Sequence, residues 1–395
     1  MRRVYCKYLY TLDGQKPAPG FVEFGPDGTI YQVGFVPIEE ASQADGYLDG
    51  AIVPGFVNAH CHLELSYMKG LFRRGTGMAG FIDQINALRD TAPLQERLYD
   101  IKFWMEKMWQ SGVSAMADIS NGEDSFAIKA ASPMYIRTFL EVFGTEPKDC
   151  DAVMEGVRKL QEKALGCGLD AAPTPHACYT MSPQLLSAVS ALGLESGYLS
   201  FHSEETPQEE EMIASGSGPM WENRKAAGMS TPPVTGGTSL EYFVERLSAV
   251  RQLPIREHVL LVHEVCMDRG GAELIKKTLP AAYVALCPRS NIYIHNALPP
   301  VMMMREEGLK LTVGTDSLSS NDSLDMVSEL LCLQENFPEV PTEELFTWAC
   351  RNGAEFLGRG ELGTIAPGKK PGLVMISHLT GEGRLTTSSE SYRIV

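Results

Sequence analysis

The chain lacks the features of several protein classes. Within its 395 residues there is no C-x-x-C pair, and no apolar run approaches the ~20 residues that a transmembrane helix needs. Its nine cysteines are odd in number and scattered, so we expect reduced thiols rather than a disulfide framework. Basic residues are few, since 34 Lys and Arg against 50 Asp and Glu give a net charge of −16, which would repel phosphate backbones and anionic membrane surfaces. The composition therefore indicates a globular protein that has neither nucleic acid nor a membrane as a partner.

The N-terminal residues give no sign of an export signal. They read MRRVYCK, a basic start that leads into neither an uninterrupted apolar segment nor a small-residue cleavage site. Together with the expected free thiols, this predicts a cytoplasmic protein. The sequence leaves the oligomeric state open, including a homo-oligomer.

Strand-like segments dominate the N-terminal part of the chain, and a different pattern follows. The turn Gly-Pro-Asp-Gly at 25–28 separates two alternating segments, 21–24 and 30–33, which predicts a hairpin. From residue 52 onward, short apolar runs alternate with amphipathic stretches, as crossover helices between parallel strands require. The predicted parallel strands are 51–59, 112–119, 134–142, 169–174, 197–201, 258–262, 282–286 and 310–314.

This set of strands suits a closed (β/α)8 barrel over residues 56–358. Strand-like segments return after the barrel, at 363–365 and 373–376, where they can complete the N-terminal β unit. We therefore predict an α/β fold in which a TIM-like barrel carries a small β-sandwich domain built from residues 1–55 and 359–395.

One connection between predicted strands is much longer than the others. Residues 204–239 begin with an acidic run and continue into segments rich in Gly, Ser and Pro. A loop of this length inside a compact domain usually has a function, and we expect it to form a lid over a bound substrate. Within its acidic run, we expect Glu209, Glu210 and Glu211 to lie on a solvated face.

Histidines cluster at one end of the predicted barrel. Because side chains alternate along a strand, His60 and His62 share one face while the intervening Cys61 lies on the other. Taken alone, such a pair could equally be two hydrogen-bonded histidines of the barrel wall. The chain has eight histidines, and those that follow predicted strands, at the end where barrel enzymes carry their chemistry, are His60, His62, His176, His202 and His263.

Further polar residues at strand ends complete a set of candidate metal ligands. His202, His263 and Asp316 each follow an apolar strand, and a dry barrel interior tolerates such groups only where a metal or a hydrogen-bond network satisfies them. Nitrogen and oxygen donors without thiolate suit Zn(II), and Fe(II) or Mn(II) fit the same donors. Glu205 follows His202 at the start of the long loop, where its carboxylate can reach the cavity as a proton shuttle.

These residues stand in an order that resembles the amidohydrolase superfamily over nearly the whole chain. The matching segments are PGFVNAHCH at 54–62, HSEET at 202–206, His263, CPRSN at 287–291, GTDS at 314–317 and GTIAPGK at 363–369. No lysine ends the fourth predicted strand, where two-metal members carry a carboxylated one, so the resemblance implies a site for a single metal ion.

Within that superfamily the chain is similar to the deaminases of adenosine, S-adenosylhomocysteine and aminodeoxyfutalosine. The segments HLELS at 62–66, GSGP at 216–219 and GTS at 237–239 resemble aminodeoxyfutalosine deaminases in particular. The segment PHACYT at 175–180 resembles the loop whose histidine contacts substrate in such deaminases.

The resemblance implies a role for each matched residue. The implied ligands of one divalent metal ion are His60, His62, His202 and Asp316. Such an ion lowers the pKa of a bound water molecule from 15.7 toward ~7. Asp316 would accept the proton of that water, His263 would orient it, and Glu205 would protonate the ring nitrogen of the substrate and help ammonia leave. The implied substrate contacts are His176 and Glu64.

The predicted function is hydrolytic deamination of a small aminated heterocycle, an adenine-containing nucleoside such as aminodeoxyfutalosine, with release of ammonia. Two alternatives stand beside it. Because one fold hosts many reactions, the same site could hydrolyse an amide, a cyclic imide or an aryl halide. The second alternative is a non-catalytic homologue that kept the barrel, although such proteins typically lose ligand residues, which are all present here.

Overall fold

A computed structural model of the chain describes residues 1–89 and 91–395. The strands in this part of the chain are β1 (Arg2–Leu9), β2 (Ala18–Phe24), β3 (Ile30–Phe35), β4 (Tyr47–Pro54), β5 (Phe56–Cys61), β6 (Val113–Ser120), β7 (Tyr135–Val142), β8 (Asp170–Pro175), β9 (Tyr198–Ser203), β10 (His258–His263), β11 (Tyr283–Leu286), β12 (Leu311–Val313), β13 (Leu373–Ile376) and β14 (Ser391–Arg393).

The helices surround these strands. They are α1 (Ile38–Gln43), α2 (Gly77–Leu88), α3 (Leu94–Gln110), α4 (Phe126–Ala130), α5 (Cys150–Gly166), α6 (Pro183–Glu195), α7 (Pro207–Ser215), α8 (Gly218–Ala226), α9 (Ser239–Ser248), α10 (Arg269–Thr278), α11 (Pro288–His295), α12 (Val301–Glu306), α13 (Met326–Asn336), α14 (Thr342–Phe346) and α15 (Gly353–Phe356). Across the residues described, none of these helices combines the length and the apolar character needed to span a bilayer.

The barrel strands pair as the sequence predicts. Within residues 1–89 and 91–395 they form two four-stranded parallel sheets, β5-β6-β7-β8 and β9-β10-β11-β12. Single bridges join the two sheets at both edges, between Cys61 and Asp316 and between Ala177 and His202. The prediction of a TIM-like (β/α)8 arrangement is thus confirmed, and the carboxyl ends of all barrel strands meet at one end of the molecule.

The first predicted barrel strand, 51–59, is divided between two sheets. β4 ends at Pro54 and β5 begins at Phe56, so the chain passes from one sheet to the other at Gly55. A Cβ atom on Gly55 would lie 1.9 Å from Ser114 Oγ and 2.6 Å from the carbonyl oxygen of Pro371. Only glycine fits this close approach, which depends on distant segments and cannot be inferred from local periodicity.

The terminal segments form one continuous sheet. Among the described residues it has six strands in the order β14-β13-β4-β1-β2-β3, and the N- and C-terminal segments contribute to it together, as the sequence predicts for the small β unit. β2 and β3 form the predicted antiparallel hairpin. The predicted strand at 363–365 is wrong, because this segment has irregular backbone, in which the backbone N–H of Ile365 donates to Thr11 O at 2.9 Å.

Arg393 of β14 connects the terminal sheet to the barrel. Its guanidinium lies 3.5 Å from the centroid of the Trp109 ring and donates to the carbonyl oxygens of Trp109 and Val113 at 2.9 and 2.8 Å. Cation–π contact and hydrogen bonds to carbonyl groups together fix this corner. The domain boundaries at 55/56 and 358/359 stay predictions.

The long connection at 204–239 is folded rather than loop-like over most of its length. It forms α7 and α8, and an irregular segment follows at 227–238. Pro207 occupies the first turn of α7, and Thr206 Oγ1 accepts from the N–H of Gln208 at 3.4 Å, which is a typical N-terminal capping arrangement. Pro207, Gly216 and Gly218–Pro219 are therefore helix boundaries, whereas the Pro and Gly residues of 227–238 do lie in an irregular segment.

A buried ion pair supports the strand that carries His60 and His62. Lys129 Nζ lies 2.7 Å from Asp118 Oδ2, and both side chains are fully buried. Asp118 Oδ1 also accepts from the backbone N–H of Leu63 at 3.2 Å, directly after His62. The pair therefore links α4 and β6 to the end of β5.

Replacing Lys129 by Met is expected to lower the free energy of unfolding by about 3–5 kcal/mol, because it leaves the Asp118 carboxylate buried without a cation. The matched control is Lys370→Met, which breaks an exposed pair with Asp27 and should change stability by less than about 1 kcal/mol. Thermal unfolding of both variants tests this. Equal midpoints for the two would contradict it.

Candidate active site

Three imidazoles and one carboxylate converge at the carboxyl ends of the barrel strands. His60 and His62 leave the end of β5, and His202 leaves the end of β9. The ring centroid of His60 lies 4.9 Å from that of His62 and 4.8 Å from that of His202. The Nε2 atoms of His60 and His62 lie 3.7 and 3.6 Å from Asp316 Oδ1. The structure thus brings together the predicted ligand set from strands that are far apart in sequence.

Asp316 is held in a left-handed backbone conformation, with φ at 54°. Its backbone N–H donates to His60 O at 3.0 Å, which fixes the segment after β12 against β5. Its Oδ2 accepts from Ser290 Oγ at 2.6 Å and from Ser320 Oγ at 3.1 Å. Because Oδ2 is occupied in this way, Oδ1 is the oxygen that faces the histidines.

Glu141, at the end of β7, faces two histidines that the sequence singles out. Its Oε1 lies 3.5 Å from His202 Nδ1 and 4.0 Å from His176 Nε2, and it has no hydrogen-bond partner in the described structure. The His176 ring stacks on that of His202 with centroids 4.5 Å apart. Asn121 Nδ2 donates to the other oxygen, Oε2, at 3.0 Å. A buried carboxylate thus lies beside a predicted metal ligand.

His263 and Glu205 form the second functional pair. His263 Nε2 lies 3.5 Å from Glu205 Oε1. On the other side of the ring, Asn291 Nδ2 donates to His263 Nδ1 at 3.1 Å, which leaves the imidazole proton on Nε2, toward Glu205. His263 also adopts a left-handed conformation, with φ at 79°. This strained backbone turns the ring toward the other donors, as is common at functional sites.

Burial keeps the imidazoles neutral. It lowers the pKa of His62 to about 4 and that of His263 to about 3, and it holds the pKa of His202 well below its usual value. A neutral imidazole keeps the lone pair that metal binding requires. Asp316 shows the opposite outcome. Burial alone would raise the pKa of its carboxyl, but the interaction with His60, whose Nε2 lies 3.7 Å from Oδ1, and with the other nearby imidazoles holds that pKa far below its usual value.

Glu205 is buried and tends to hold a proton. Burial raises the pKa of its carboxyl well above the usual value, and the negative charges of Asp316, Glu209 and Glu141 raise it further. Glu209 is fully buried and its Oε2 accepts from the N–H of Glu205 at 2.8 Å, so the expectation of a solvated face is wrong for this residue. Glu210 is half-buried against Ser239, and Glu211 alone of the three is exposed.

A cavity of about 590 Å³ opens above these groups. Its size falls within the range of roughly 300–1,000 Å³ that is typical of small-molecule sites. The predicted site residues in its wall are His62, His176, His202, Glu205, His263 and Asp316. Apolar side chains of α2, α7 and α8 form much of the remaining wall. The long connection therefore covers the site with helices.

Glu64 lies outside the cavity wall. Its carboxylate accepts from the backbone N–H groups of Asn121 and Gly122 at 2.8 and 3.2 Å. Burial raises the pKa of Glu64 to about 7 despite the Asn121 amide, which lowers it. Glu64, which the sequence predicts to contact substrate, thus positions the segment that follows β6. Asn121 of that segment lines the cavity.

Two residues in the site carry chemistry that the sequence reasoning missed. The sequence could have indicated Glu141 as a site residue, because it is an acidic residue next to the carboxyl end of the apolar run 134–142. Arg224 lies in the connection that was taken for a loop, and it lines the cavity because α8 is folded. Both residues are recognised as part of the site only once the fold of the chain is known.

The donor set fits a divalent metal ion. Buried nitrogen atoms without hydrogen-bond partners include both ring nitrogens of His60 and Nδ1 of His62, so the described residues leave these donors unsatisfied. Ligand atoms lie within 4.8 Å of one another in each of three overlapping groups, which are His60, His62 and Asp316; His60, His202 and His263; and His62, Glu141 and His202. Nitrogen and carboxylate donors at such spacing are typical of zinc sites.

A (β/α)8 arrangement with this donor set defines a class, the metal-dependent barrel hydrolases. Sequence comparison then identifies the family, because the profile of the amidohydrolase family matches residues 51–389. The chain belongs to the amidohydrolase family, whose enzymes bind a metal.

Individual relatives agree with this assignment. The chain is 26% identical over 390 residues to the 5-methylthioadenosine/S-adenosylhomocysteine deaminase of Pelotomaculum thermopropionicum, which covers 89% of this chain and 82% of that protein. The crystal structure of Helicobacter pylori aminofutalosine deaminase in complex with methylthio-coformycin has a TM-score of 0.77 at 22% identity and covers 98% of this chain and 94% of that one. An adenosine deaminase from Xanthomonas campestris with bound zinc has a TM-score of 0.72 at 18% identity, with 98% and 86% covered. These two structures support the fold.

Proposed function

We propose that the protein is a metal-dependent deaminase that replaces the amino group of an adenine-containing nucleoside by oxygen and releases ammonia. The observation that carries the proposal is the pairing of a histidine and aspartate donor set with a buried acid, Glu205, 3.5 Å from His263. Donors alone suit many hydrolases, whereas a proton-holding carboxyl beside them suits protonation of a ring nitrogen. The named relatives, which are deaminases of such nucleosides, support this substrate class.

The proposed metal ligands are His60, His62, His202 and Asp316. We take the metal to be zinc, since nitrogen and carboxylate donors are typical of zinc and a structurally similar adenosine deaminase has it bound. When bound, such an ion supplies a water molecule that is acidic near neutral pH. We also propose that the protein is located in the cytoplasm.

The protein's own groups handle the protons. In the proposed reaction, water adds to the amino-bearing ring carbon, and Asp316 accepts a proton from that water through Oδ1, the oxygen not held by Ser290. His263 donates a hydrogen bond from Nε2 to the attacking oxygen, which stabilises the tetrahedral adduct. Glu205 gives its proton to the neighbouring ring nitrogen. The carbon–nitrogen bond to the amino group then breaks as that group takes the proton held by Asp316 and leaves as ammonia, and the hydroxyl proton of the adduct returns to Glu205 as the oxo product forms.

His176 and Glu64 have different parts in this proposal. His176 lines the cavity, and burial lowers the pKa of its ring to about 3, so it meets the substrate as a neutral hydrogen-bonding group. Its Nδ1 is engaged with Thr180 Oγ1 at 2.9 Å, which leaves Nε2 for the substrate. We assign Glu64 an indirect part, as the residue that positions Asn121.

The proposal is tested by ammonia release from the zinc-loaded protein. The compounds are adenosine, methylthioadenosine, S-adenosylhomocysteine, aminodeoxyfutalosine, guanine and cytosine, with an amide, a cyclic imide and an aryl halide as competing substrates. We expect ammonia from at least one adenine-containing nucleoside, with the matching hydroxylated product, and none from a His60→Ala variant. Hydrolysis of a competing substrate without ammonia release from any nucleoside would overturn the proposal.

Glu141 provides a prediction about the metal site. Metal-binding histidines commonly donate their second ring N–H to a carboxylate or a backbone carbonyl group, which orients the ring and raises its basicity. Nδ1 of His202 is hydrogen-bonded to His176 O at 3.3 Å, and the Glu141 carboxylate adds a negative charge beside the same nitrogen. Glu141→Gln removes that charge 3.5 Å from His202 Nδ1, so we expect about 10- to 100-fold weaker zinc binding in competition with a chelator. The control is Glu195→Gln, an exposed site at the end of α6. Unchanged zinc affinity in the Glu141 variant would show that this carboxylate does not act on His202.

A further inference from the structure

Glu205, the proton donor of the proposed reaction, lies in a short connection between a strand and a helix. β9 ends at Ser203 and α7 begins at Pro207, so Glu205 belongs to neither element. Glu204, directly before it, has a left-handed backbone with φ at 48°. A buried backbone N–H group outside a helix or sheet needs a partner from a side chain or from water. The position of Glu205 therefore depends on the side chains that surround this turn.

Glu209 supplies that partner from the first turn of α7. Its Oε2 accepts from the backbone N–H of Glu205 at 2.8 Å. Glu209 is fully buried, and burial raises the pKa of its carboxyl group well above the usual value. A carboxyl oxygen accepts a hydrogen bond in the ionised and in the protonated form, so the contact does not depend on the charge of Glu209. The contact fixes the main chain of Glu205, whose side chain lines the cavity.

The contact between Glu209 and Glu205 differs from an ordinary helix cap. Thr206 is the N-cap residue of α7, and Glu209 is the third residue of the helix, the N3 position. In a capping box, a glutamate at N3 accepts from the N–H of the N-cap residue itself. Glu209 instead reaches one residue further back, to Glu205. The first turn of α7 therefore holds the residue before the cap, which is the proposed proton donor.

A second side chain holds the preceding amide of the same turn. Ser239 Oγ accepts from the backbone N–H of Glu204 at 3.1 Å and donates to Glu210 Oε1 at 2.6 Å. Glu209 and Glu210 thus hold two consecutive amides, one directly and one through Ser239. A rotation of the peptide groups around Glu205 would break both contacts, so α7 and the turn move as one unit.

We propose that Glu209 is a positioning residue, which holds the backbone of Glu205 so that its carboxyl group stays beside His263 and reaches the substrate ring. This inference rests on the proposed function and adds a residue that acts through the proton donor, because Glu209 itself lies outside the described wall of the cavity. Glu205 Oε1 lies 3.5 Å from His263 Nε2, so a small rotation of the backbone would separate the pair. A misplacement of about 1 Å can reduce a rate about 10²-fold.

The test compares two substitutions that keep the approximate size of the Glu209 side chain. Methionine has no oxygen that could accept from the Glu205 N–H, whereas glutamine keeps an amide oxygen that accepts. We expect Glu209→Met to lower kcat about 10- to 100-fold while KM changes less than about threefold. Glu209→Gln should keep kcat within about threefold of the wild-type value, because the hydrogen bond is retained. Steady-state kinetics of the zinc-loaded proteins, with a nucleoside that the wild type deaminates, give these values.

Two measurements and a control separate positioning from a general loss of structure. Zinc affinity should be equal in Glu209→Met and the wild type, whereas a structural defect at the start of α7 would spread to His202 and weaken zinc binding. In a Glu205→Gln background, Glu209→Met should lower kcat by less than about a further threefold, because both changes remove the same function. The control is Glu211→Met, at an exposed position of the same helix, which should leave kcat unchanged.

Hydrogen exchange tests the contact without turnover, and the outcomes separate the two proposals. The backbone amide of Glu205 should exchange faster in Glu209→Met than in the wild type and Glu209→Gln, as measured by mass spectrometry. Unchanged exchange or unchanged kcat in Glu209→Met, or equal losses of kcat in both variants, would overturn the Glu209 inference and leave the deaminase proposal intact. No ammonia from any nucleoside would overturn both. Faster exchange and lower kcat in Glu209→Met alone, with unchanged zinc affinity, would support both.

Discussion

Replacing Glu205 by Gln is expected to lower kcat about 10²- to 10⁴-fold while metal content stays unchanged. The amide has nearly the same shape as the carboxyl group but cannot give a proton to the ring nitrogen or pass one to the leaving ammonia. Glu205 is outside the proposed ligand set, so the loss should appear in turnover and not in zinc binding. Steady-state kinetics and elemental analysis of the purified variant measure the two quantities.

The pH dependence gives this prediction a second readout. Because burial raises the pKa of Glu205, the protonated form persists toward neutral pH, and activity should fall as the pH rises above that pKa. That alkaline decline should be absent in Glu205→Gln. The control is Glu222→Gln, an exposed residue of α8. A Glu205 variant that keeps most of its activity, or keeps the same alkaline decline, would show that another group transfers the proton.

Replacing His60 by Ala is expected to abolish ammonia release by removing a ligand whose two ring nitrogens are buried without other partners. Loss of an outer-shell partner typically weakens metal binding about 10- to 100-fold, so loss of a ligand should exceed that range. Metal content after dialysis tests this directly. The control is His378→Ala, which removes an exposed histidine of the C-terminal segment.

Thermal unfolding separates loss of metal from loss of fold in the His60 variant. A ligand that binds the native state stabilises it by mass action, so added zinc should raise the midpoint of the metal-free wild-type protein. The same addition should have little effect on His60→Ala. A variant that keeps full metal content and the full zinc-dependent shift would remove His60 from the ligand set.

The barrel and the group of predicted ligands were predictable from sequence for a simple physical reason. A strand buried on both faces is a short apolar run, and side chains that follow such runs meet at one end of a barrel. His202, His263 and Asp316 could therefore be assigned to one place without knowledge of the packing. The division at Gly55 could not, because it results from contact with Ser114 and Pro371, which are distant in sequence.

The helices that cover the site were harder to predict than the barrel. The composition of 204–239 suggested a loop, yet Thr206 and Pro207 begin a helix, and the left-handed Gly216 ends it. Turns and helix ends favour the same residue types, so the composition alone could not distinguish a loop from two short helices. Consequently Arg224 and the buried position of Glu209 were missed. Glu141 was missed because its role depends on the position of His202, which lies on a different strand.

Isotope labelling tests whether the protein deaminates its substrate with an oxygen atom that comes from water. The zinc-loaded protein is incubated with an adenine-containing nucleoside in ¹⁸O-labelled water, and the products are analysed by mass spectrometry together with ammonia. We expect a hydroxylated nucleoside that contains ¹⁸O, with ammonia released in equal amount. Free adenine from cleavage of the glycosidic bond, or an unchanged amino group beside a hydrolysed substituent, would contradict it.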